Sequence, residues 1–298
     1  MQFAGGRGFF RFMYPEVTQG TMNEIIRAAL DGGINWFDTA EAYGFGRSER
    51  GLAGALAAVE VADGDVRIAT KWLPLLRTAG SIRRTIADRQ RALSPYSVDL
   101  HQVHQPISFS SPEDEMNAMA DLVESGQIRA VGVSNFNAQR MRRAHQALRR
   151  RGLPLASNQV RYSLLHRSIE TNGVLDAARQ LGVTIIAYSP LDSGLMSGKY
   201  HRDPAVLQAT PVGRRARFRR RLEETAPLVA ALEEIGQAYQ ATPAQVALNW
   251  LVNFHGDAVV AIPGASRPDQ AADSAGAMRF SLTDDELAHI DRLTRADR

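Results

Sequence analysis

Val183-Thr184-Ile185-Ile186-Ala187 is the stretch that decides the fold. Its residues are β-branched or small and apolar, without the polar alternation of a half-solvated strand. That is the pattern of a parallel strand covered on both faces. It opens the strand candidate 184–189, and similar runs lie at 34–38, 66–71, 98–104, 128–134, 156–159 and 258–263. Between them are helical patterns at 22–31, 49–59, 82–93, 113–124, 138–149 and 172–181. Ser48 marks one helix start. Thr242-Pro243-Ala244-Gln245 and Thr283-Asp284-Asp285-Glu286 read as capping boxes, the second opening a last helix that runs to about Leu293. Glycines at 32–33, 126, 152 and 182 supply the stops.

Asp38, Lys71, His104, Ser134, Gln159 and Tyr188 each end a strand candidate, at intervals of 25 to 33 residues, one βα unit apiece. Polar residues at successive strand ends are the arrangement of an α/β barrel, whose chemistry sits at that face. A doubly wound open sheet has the same local rhythm, but it usually carries a phosphate-binding glycine fingerprint. The nearest stretch here, Gly44-Phe45-Gly46-Arg47-Ser48-Glu49, lacks the third glycine, and there is no Walker-type loop. The expected fold is therefore a (β/α)8 TIM barrel, one domain over residues 1–298. From Tyr188 to Pro263 the interval is too long for one βα unit. It reads as a long arginine-rich loop over the mouth, then a helix pair at 223–239 and 243–254.

Bulk composition sets the outer limits. Hydrophobic residues make up 44% and charged residues 22%, the balance of a soluble globular chain. There is no cysteine, which excludes disulfides, thiolate metal sites and a cysteine nucleophile, and fits a reducing cytoplasm. No apolar run approaches the ~20 residues of a membrane span, and residues 1–8 are too rich in glycine for a signal-peptide core. The net charge of +3 is concentrated at Arg214, Arg215, Arg217, Arg219, Arg220 and Arg221 and at Arg149 to Arg151. Such clusters could hold nucleic acid, but Phe218 is the sole aromatic among the first group, and no stacking platform exists. A solvated loop or a wall for an anionic cofactor is the preferred reading, with no nucleic-acid or membrane partner.

Asp38, Tyr43, Lys71 and His104 come from three consecutive βα units, whose strands in a barrel lie about 4.8 Å apart. A lysine ammonium beside a tyrosine favours the phenolate. Asp38 would fix that lysine, and His104 would donate a hydrogen bond to a substrate carbonyl oxygen. The set amounts to a proton donor for a developing alkoxide, with no nucleophile and no metal. Taken singly, Asp38 also suits a turn cap and Tyr43 a packed aromatic, whereas a lysine is rarely buried unpaired. His101 raises a metal-site alternative for His104, but residues three apart on a strand face opposite sides. His145, His166, His201, His255 and His289 are scattered and read as structural or surface groups.

These residues sit in stretches that resemble the aldo-keto reductases. Gly33-Ile34-Asn35-Trp36-Phe37-Asp38-Thr39-Ala40-Glu41-Ala42-Tyr43-Gly44 is similar to that family's signature. So are Ala69-Thr70-Lys71, Asp99-Leu100-His101-Gln102-Val103-His104-Gln105-Pro106, Gly132-Val133-Ser134-Asn135-Phe136 and Asn158-Gln159-Val160. The likeness continues through Ala187-Tyr188-Ser189-Pro190-Leu191, Gly198-Lys199-Tyr200 and Ile262-Pro263-Gly264-Ala265-Ser266-Arg267. The resemblance implies an NADPH-dependent reductase of aldehydes or ketones, with Tyr43 as general acid, His104 orienting the carbonyl, and Asp38 with Lys71 tuning the tyrosine. It also implies that Ser134, Asn135 and Gln159 hold the nicotinamide carboxamide while Tyr188 stacks on the ring. Ser189, Leu191, Gly194, Lys199 and the residues between the last two would bracket the pyrophosphate. Ser266, Arg267 and Gln270 would grip the adenosine end, with Arg267 on a 2′-phosphate, so that NADPH is favoured over NADH; a surface arginine facing water is the plainer reading of Arg267. One or two arginines of the 214–221 cluster are expected near phosphate.

Two departures from the family pattern carry expectations of their own. Asp273 and Ser274 stand where relatives often have Glu and Asn, which touches the adenine contacts. The chain also begins at the methionine that ends the relatives' first strand. That strand is expected to be largely missing, with residues 2–5 supplying a stub or the start lying upstream. Two strand edges would then be open, and the chain would be less stable than an N-terminally extended form. A cofactor-binding sensor subunit and a non-redox barrel enzyme are the competing functions. The pocket wall is expected from residues 9–14, Trp72 to Leu76, Phe109 and the loop after Tyr188. The identity of the carbonyl substrate and the oligomeric state stay open.

Overall fold

Seven parallel strands line up in chain order, each hydrogen-bonded to the next. The computed structural model describes residues 17–210 and 212–295. Its strands are β1 (Trp36–Asp38), β2 (Arg67–Trp72), β3 (Leu100–Val103), β4 (Ala130–Ser134), β5 (Leu155–Arg161), β6 (Thr184–Tyr188) and β7 (Val259–Ile262). Every strand candidate becomes a strand, with ends displaced by one or two residues where pairing gives out. The helices that return the chain are α1 (Gln19–Asp31), α2 (Arg47–Ala58), α3 (Gly80–Leu93), α4 (Pro112–Glu124), α5 (Ala138–Arg149) and α6 (Val174–Leu181). After β6 come α7 (Lys199–Arg202), α8 (Pro204–Gln208), α9 (Val212–Tyr239) and α10 (Pro243–Asn253). After β7 come α11 (Pro268–Gly276) and α12 (Asp284–Arg295). The architecture is the (β/α)8 TIM barrel, with seven strands among the described residues. No described helix is long and apolar enough to cross a membrane.

Outward residues of the strands, such as Phe37, Ile68, Val103, Val131, Val133 and Ile185, join the helices in the main core. Inward residues form a separate small apolar cluster of Ala69, Leu100 and Ile186, with Trp36, Ala130 and Ile262 packed on it. Among the described residues β1 and β7 each have a neighbour on one side only. The stub expected at residues 2–5 lies outside the described residues, as does the pocket wall expected at 9–14. On that side, among the described residues, the helices α1 and α11 meet. A Cβ on Gly32, at the end of α1, would lie 2.3 Å from the Cβ of Ala275 on α11. Behind this contact lies a cavity of ≈ 740 Å³, lined by Gly32, Leu248, Val252 and Ala271 on the helices and by the inward Trp36, Leu100, Ile186 and Ile262, and reaching Asp38. It extends to Arg67, Asp99 and Arg129, before or at the start of their strands, so it runs from between β1 and β7 into the barrel and is not the mouth.

Two local expectations need correction. Ser48 does not cap its helix: α2 starts at Arg47 behind a left-handed Gly46 with no side-chain cap, and the buried Ser48 hydroxyl accepts from Thr39 Oγ1 at 2.9 Å. The arginine-rich segment is not a loop, because α9 runs through it for 28 residues. Arginine is a good helix former, and Phe218 anchors the helix by packing on Tyr200, ring centroids 4.9 Å apart. The capping box at Thr242 forms as expected, with Pro243 at the first helical position. Thr283 and Glu286 likewise bond reciprocally at the start of α12.

The α1–α11 contact has a measurable consequence. Gly32→Val places methyl groups where Ala275 already sits, and overpacking of this kind costs about 1–3 kcal/mol. The urea midpoint is expected to fall accordingly; an unchanged midpoint would show that the two helices do not approach so closely.

Candidate active site

Alternation along the strands sends Asp38, Lys71, Gln102 and Gln159 into the barrel, towards the strand C-termini from the apolar layer. Lys71 is fully buried. Its ammonium bonds to Asp38 Oδ1 and donates to the carbonyl of Thr39 at 2.8 Å. The second oxygen of Asp38 accepts from Gln159 Nε2 at 2.9 Å and from Gln102 Nε2 at 3.2 Å. A buried ion pair holds only when its remaining hydrogen-bonding positions are met, and the two glutamines meet them. Gln102 was not singled out in the sequence, although it stands two residues before His104 and shares its strand face.

Tyr43 rides on the turn after β1, which is fastened to β2 by Thr39 N–H to Ala69 O (2.8 Å) and Glu41 N–H to Lys71 O (3.1 Å). The Lys71 ammonium lies 5.4 Å from the Tyr43 ring centroid. The His104 ring meets that ring edge-on with centroids 5.6 Å apart. Asp38, Tyr43, Lys71 and His104 are thus brought together at one end of the barrel. Burial, helped by the Lys71 charge, pushes His104 down to about 4, so the imidazole is neutral at neutral pH. His101 faces away, towards Arg89, and burial takes it down to about 3. No cluster of three or more potential metal ligands occurs among the described residues.

Beneath the Tyr43 turn lies a charged lattice that the sequence did not announce. Glu41 accepts from Leu73 N–H at 2.9 Å and from Arg77 at 2.8 Å. Glu49 accepts from Thr70 Oγ1 at 2.6 Å, and Arg89 lies 3.4 Å from Glu49 and 3.7 Å from Glu41. Burial raises the Glu49 carboxyl above its ordinary value. The lattice ties the turn that bears Tyr43 to the strand that bears Lys71.

The other half of the mouth gathers the residues expected to hold a dinucleotide. Ser134 Oγ donates to the carbonyl of Gln159 at 2.9 Å. Asn135, left-handed at φ 60, has its amide nitrogen 3.1 Å from Ser134 Oγ, and its oxygen accepts from the Tyr188 hydroxyl at 3.2 Å. Ser189 also has positive φ. Leu191 precedes a short 3-10 segment at Asp192–Ser197, followed by Lys199 at the start of α7. Gly194 sits at φ 88, a left-handed backbone that favours glycine, and a Cβ there would lie 3.4 Å from the Lys199 amine. Farther along, Gln270 Oε1 accepts from the backbone and hydroxyl of Ser266. Arg267 forms a two-pronged bond to Asp269 while its side chain stays largely exposed. Asp273 accepts from Thr242 Oγ1.

Several side chains depart from their expected places. Trp72 does not line the pocket: it is buried in the core and donates to Ser81 at 3.0 Å. His166, expected as a structural or surface group, takes the structural part. It faces the buried carboxylate of Asp192 at 3.3 Å, and Arg161 (2.9 Å) and Arg221 (3.3 Å) join it there. Arg221 alone of the arginine-rich run reaches this loop in a described bond, and through it α9 is pinned beside residues 192–197. An aspartate after Leu191 is visible in the sequence, but the partners come from three other segments. Arg151 pairs with Asp121 and Glu124, leaving the second basic stretch partly neutralised.

Comparison with known proteins adds a family. The model of the Aldo/keto reductase family matches residues 5–295. An uncharacterised oxidoreductase of Mycobacterium tuberculosis (strain ATCC 25618 / H37Rv) is 38% identical over 267 residues, covering 89% of this chain and 79% of that protein. The chloroplastic pyridoxal reductase of Arabidopsis thaliana is 33% identical, covering 91% of this chain and 75% of that one. Among solved structures, an aldo-keto reductase from Klebsiella pneumoniae in complex with NADPH superposes with a TM-score of 0.72 at 25% identity, covering 93% and 85% of the two chains.

The buried imidazoles make stability depend on pH. His101 stays neutral in the fold down to about 3, against an ordinary 6.5. Between those values the unfolded chain binds more protons, so this contribution is complete above pH 6.5 and is lost as pH falls. Glu115, raised by burial to about 7, acts in the opposite sense between 4.5 and 7. His101→Gln is therefore expected to lose less Tm than the parent between pH 7 and pH 5. Equal losses would contradict the assignment.

Proposed function

The chain belongs to the aldo/keto reductase family, and on that premise we propose that it is an NADPH-dependent oxidoreductase reducing aldehyde or ketone carbonyls to alcohols, with Tyr43 as the proton donor. The observation that carries this reading is the meeting of a phenol, a buried ammonium and a neutral imidazole, with the Lys71 amine 5.4 Å from the Tyr43 ring and the His104 ring 5.6 Å from it. NADPH, when bound, supplies the hydride; the remaining work falls to the chain's own side chains. His104, held neutral by burial, hydrogen-bonds the carbonyl oxygen and sets its direction. Tyr43 gives its hydroxyl proton to that oxygen as negative charge develops on it. Lys71 favours the phenolate left behind, and Asp38, braced by Gln102 and Gln159, keeps the ammonium from moving away.

The cofactor half of the mouth suits a dinucleotide on chemical grounds. Ser134, Asn135 and Gln159 combine amide and hydroxyl groups that match a carboxamide, and Tyr188 offers a ring face. At Gly194 the left-handed backbone lies beside the Lys199 amine, so that backbone and an ammonium stand together for a pyrophosphate. Ser266, Arg267 and Gln270 take the adenosine end. Arg267 already makes a forked bond to a carboxylate, the geometry that a 2′-phosphate would use.

Two outcomes test the reading. Tyr43→Phe is expected to cut NADPH oxidation with an aldehyde panel by ~10²–10⁴-fold, while NADPH fluorescence quenching on binding persists. Turnover undiminished by that change would remove Tyr43 as the donor, and binding without turnover in the parent would favour a sensor role. Arg267→Ala is expected to raise the Kd for NADPH about tenfold or more, from the loss of charge-assisted bonds, and to leave the Kd for NADH where it was. Parallel weakening of both cofactors would take the 2′-phosphate away from Arg267.

A further inference from the structure

Among the described residues three lysine or arginine side chains are buried: Lys71, Arg167 and Arg89. Lys71 belongs to the site. Arg167 directs its nitrogens at acceptors, reaching Glu170 at 2.8 Å and both Thr294 and Asp291 at 2.6 Å. Arg89, on α3, is placed differently. Its Nη1 lies 3.4 Å from Glu49 and 3.7 Å from Glu41, and neither Nη1 nor Nε has a hydrogen-bond partner among the described residues. Buried polar groups ordinarily meet partners. This guanidinium meets charges instead.

The two carboxylates it faces bracket Tyr43 in the chain. Glu41 stands on the turn after β1, and Glu49 in the first turn of α2. The segment between them folds back on itself, with Ser48 N–H donating to the Tyr43 carbonyl at 3.2 Å. Arg89 reaches this fold as well: a Cβ added to the left-handed Gly46 would lie 3.6 Å from its Nη2. Each carboxylate is also tied to the strand of Lys71 or its end. Glu49 accepts from Thr70 Oγ1 at 2.6 Å, and Glu41 accepts from Leu73 N–H at 2.9 Å. Glu41 and Glu49 are near enough for their charges to repel, and Arg89 is a cation that faces both.

We propose that Arg89 is a positioning residue for the reaction: its charge draws Glu41 and Glu49 together and so sets where Tyr43 stands relative to Lys71. The inference rests on the reading of Tyr43 as the proton donor. The distances say how the hold works. A charge-assisted hydrogen bond closes to about 2.7–2.9 Å, whereas both contacts of Arg89 are longer. Attraction between unit charges, however, falls only as the inverse of distance. An ammonium at this position can therefore replace the guanidinium, which it could not do in a forked bond. The demand on position is strict, because a displacement of about 1 Å can slow a reaction ~10²-fold.

Oxidation of NADPH by an aldehyde that the parent reduces provides the test. Arg89→Met is expected to lower kcat about 10- to 100-fold, with the KM for the aldehyde and the Kd for NADPH within about twofold of the parent. Arg89→Lys, which keeps the charge, is expected to hold kcat within about threefold of the parent. In a Tyr43→Phe background, Arg89→Met is expected to change the single-turnover rate by less than about twofold, because a residue acting through Tyr43 then has nothing left to position. Glu49→Gln keeps an acceptor for Thr70 while removing one of the two negative charges. It is expected to lower kcat about tenfold, and it carries the same comparison of backgrounds if Arg89→Met does not fold. Equal falls in the two backgrounds, or a loss confined to KM, overturn the proposal and leave the reductase reading standing. So does an Arg89→Lys variant as slow as Arg89→Met. Turnover that Tyr43→Phe does not diminish takes the reading and the proposal down together.

Discussion

A lysine ammonium shut inside a barrel is the constraint on which the rest of this structure depends. Lys71 has no access to solvent, and an unpaired charge in such a place costs several kcal/mol. Asp38 must therefore sit on the neighbouring strand at the right register. Two glutamines from β3 and β5 must then reach the carboxylate's other oxygen. Four strands are committed to the position of one ammonium. The same commitment leaves an ordered positive charge 5.4 Å from the Tyr43 ring centroid.

The loops above that core divide the labour by polarity. After β1, β2 and β3 they are held by the Glu41–Arg77 bond and the Glu49–Arg89 contacts, and they turn apolar side chains outwards. After β5 and β6 the mouth gathers around Asp192, which draws Arg161, His166 and Arg221 from separate segments. Arg221 brings α9 with it, so the long helix closes over the same loop that contains Gly194. The two sides of the mouth thus differ in polarity, and the imidazole of His104 is kept neutral by burial.

Much of this was legible in the chain itself. The run at 183–187 and its six counterparts marked every strand of the described residues, because parallel strands buried on both faces tolerate little polarity. The capping boxes at Thr242 and Thr283 were visible because capping is a local transaction. Local rules failed where tertiary contacts overruled them. Ser48 has the chemistry of a cap, yet its hydroxyl is used by Thr39. Trp72 follows a site lysine, yet the pleat turns it to the core. The run from Arg214 to Arg221 looks like a solvated loop, yet Phe218 packs on Tyr200 and makes the whole stretch helical.

The positions of the strands and the polar residues at their ends could be read from the sequence, since each follows from residue type and a short local period. Partnership across the barrel could not. That Gln102 braces Asp38, that Asp192 collects three cations, and that Gly32 lets α1 touch Ala275 all join residues far apart in the chain. Such pairings carry no periodic signal. They exist only once the strands have closed far enough for side chains from separate βα units to share the same few ångströms.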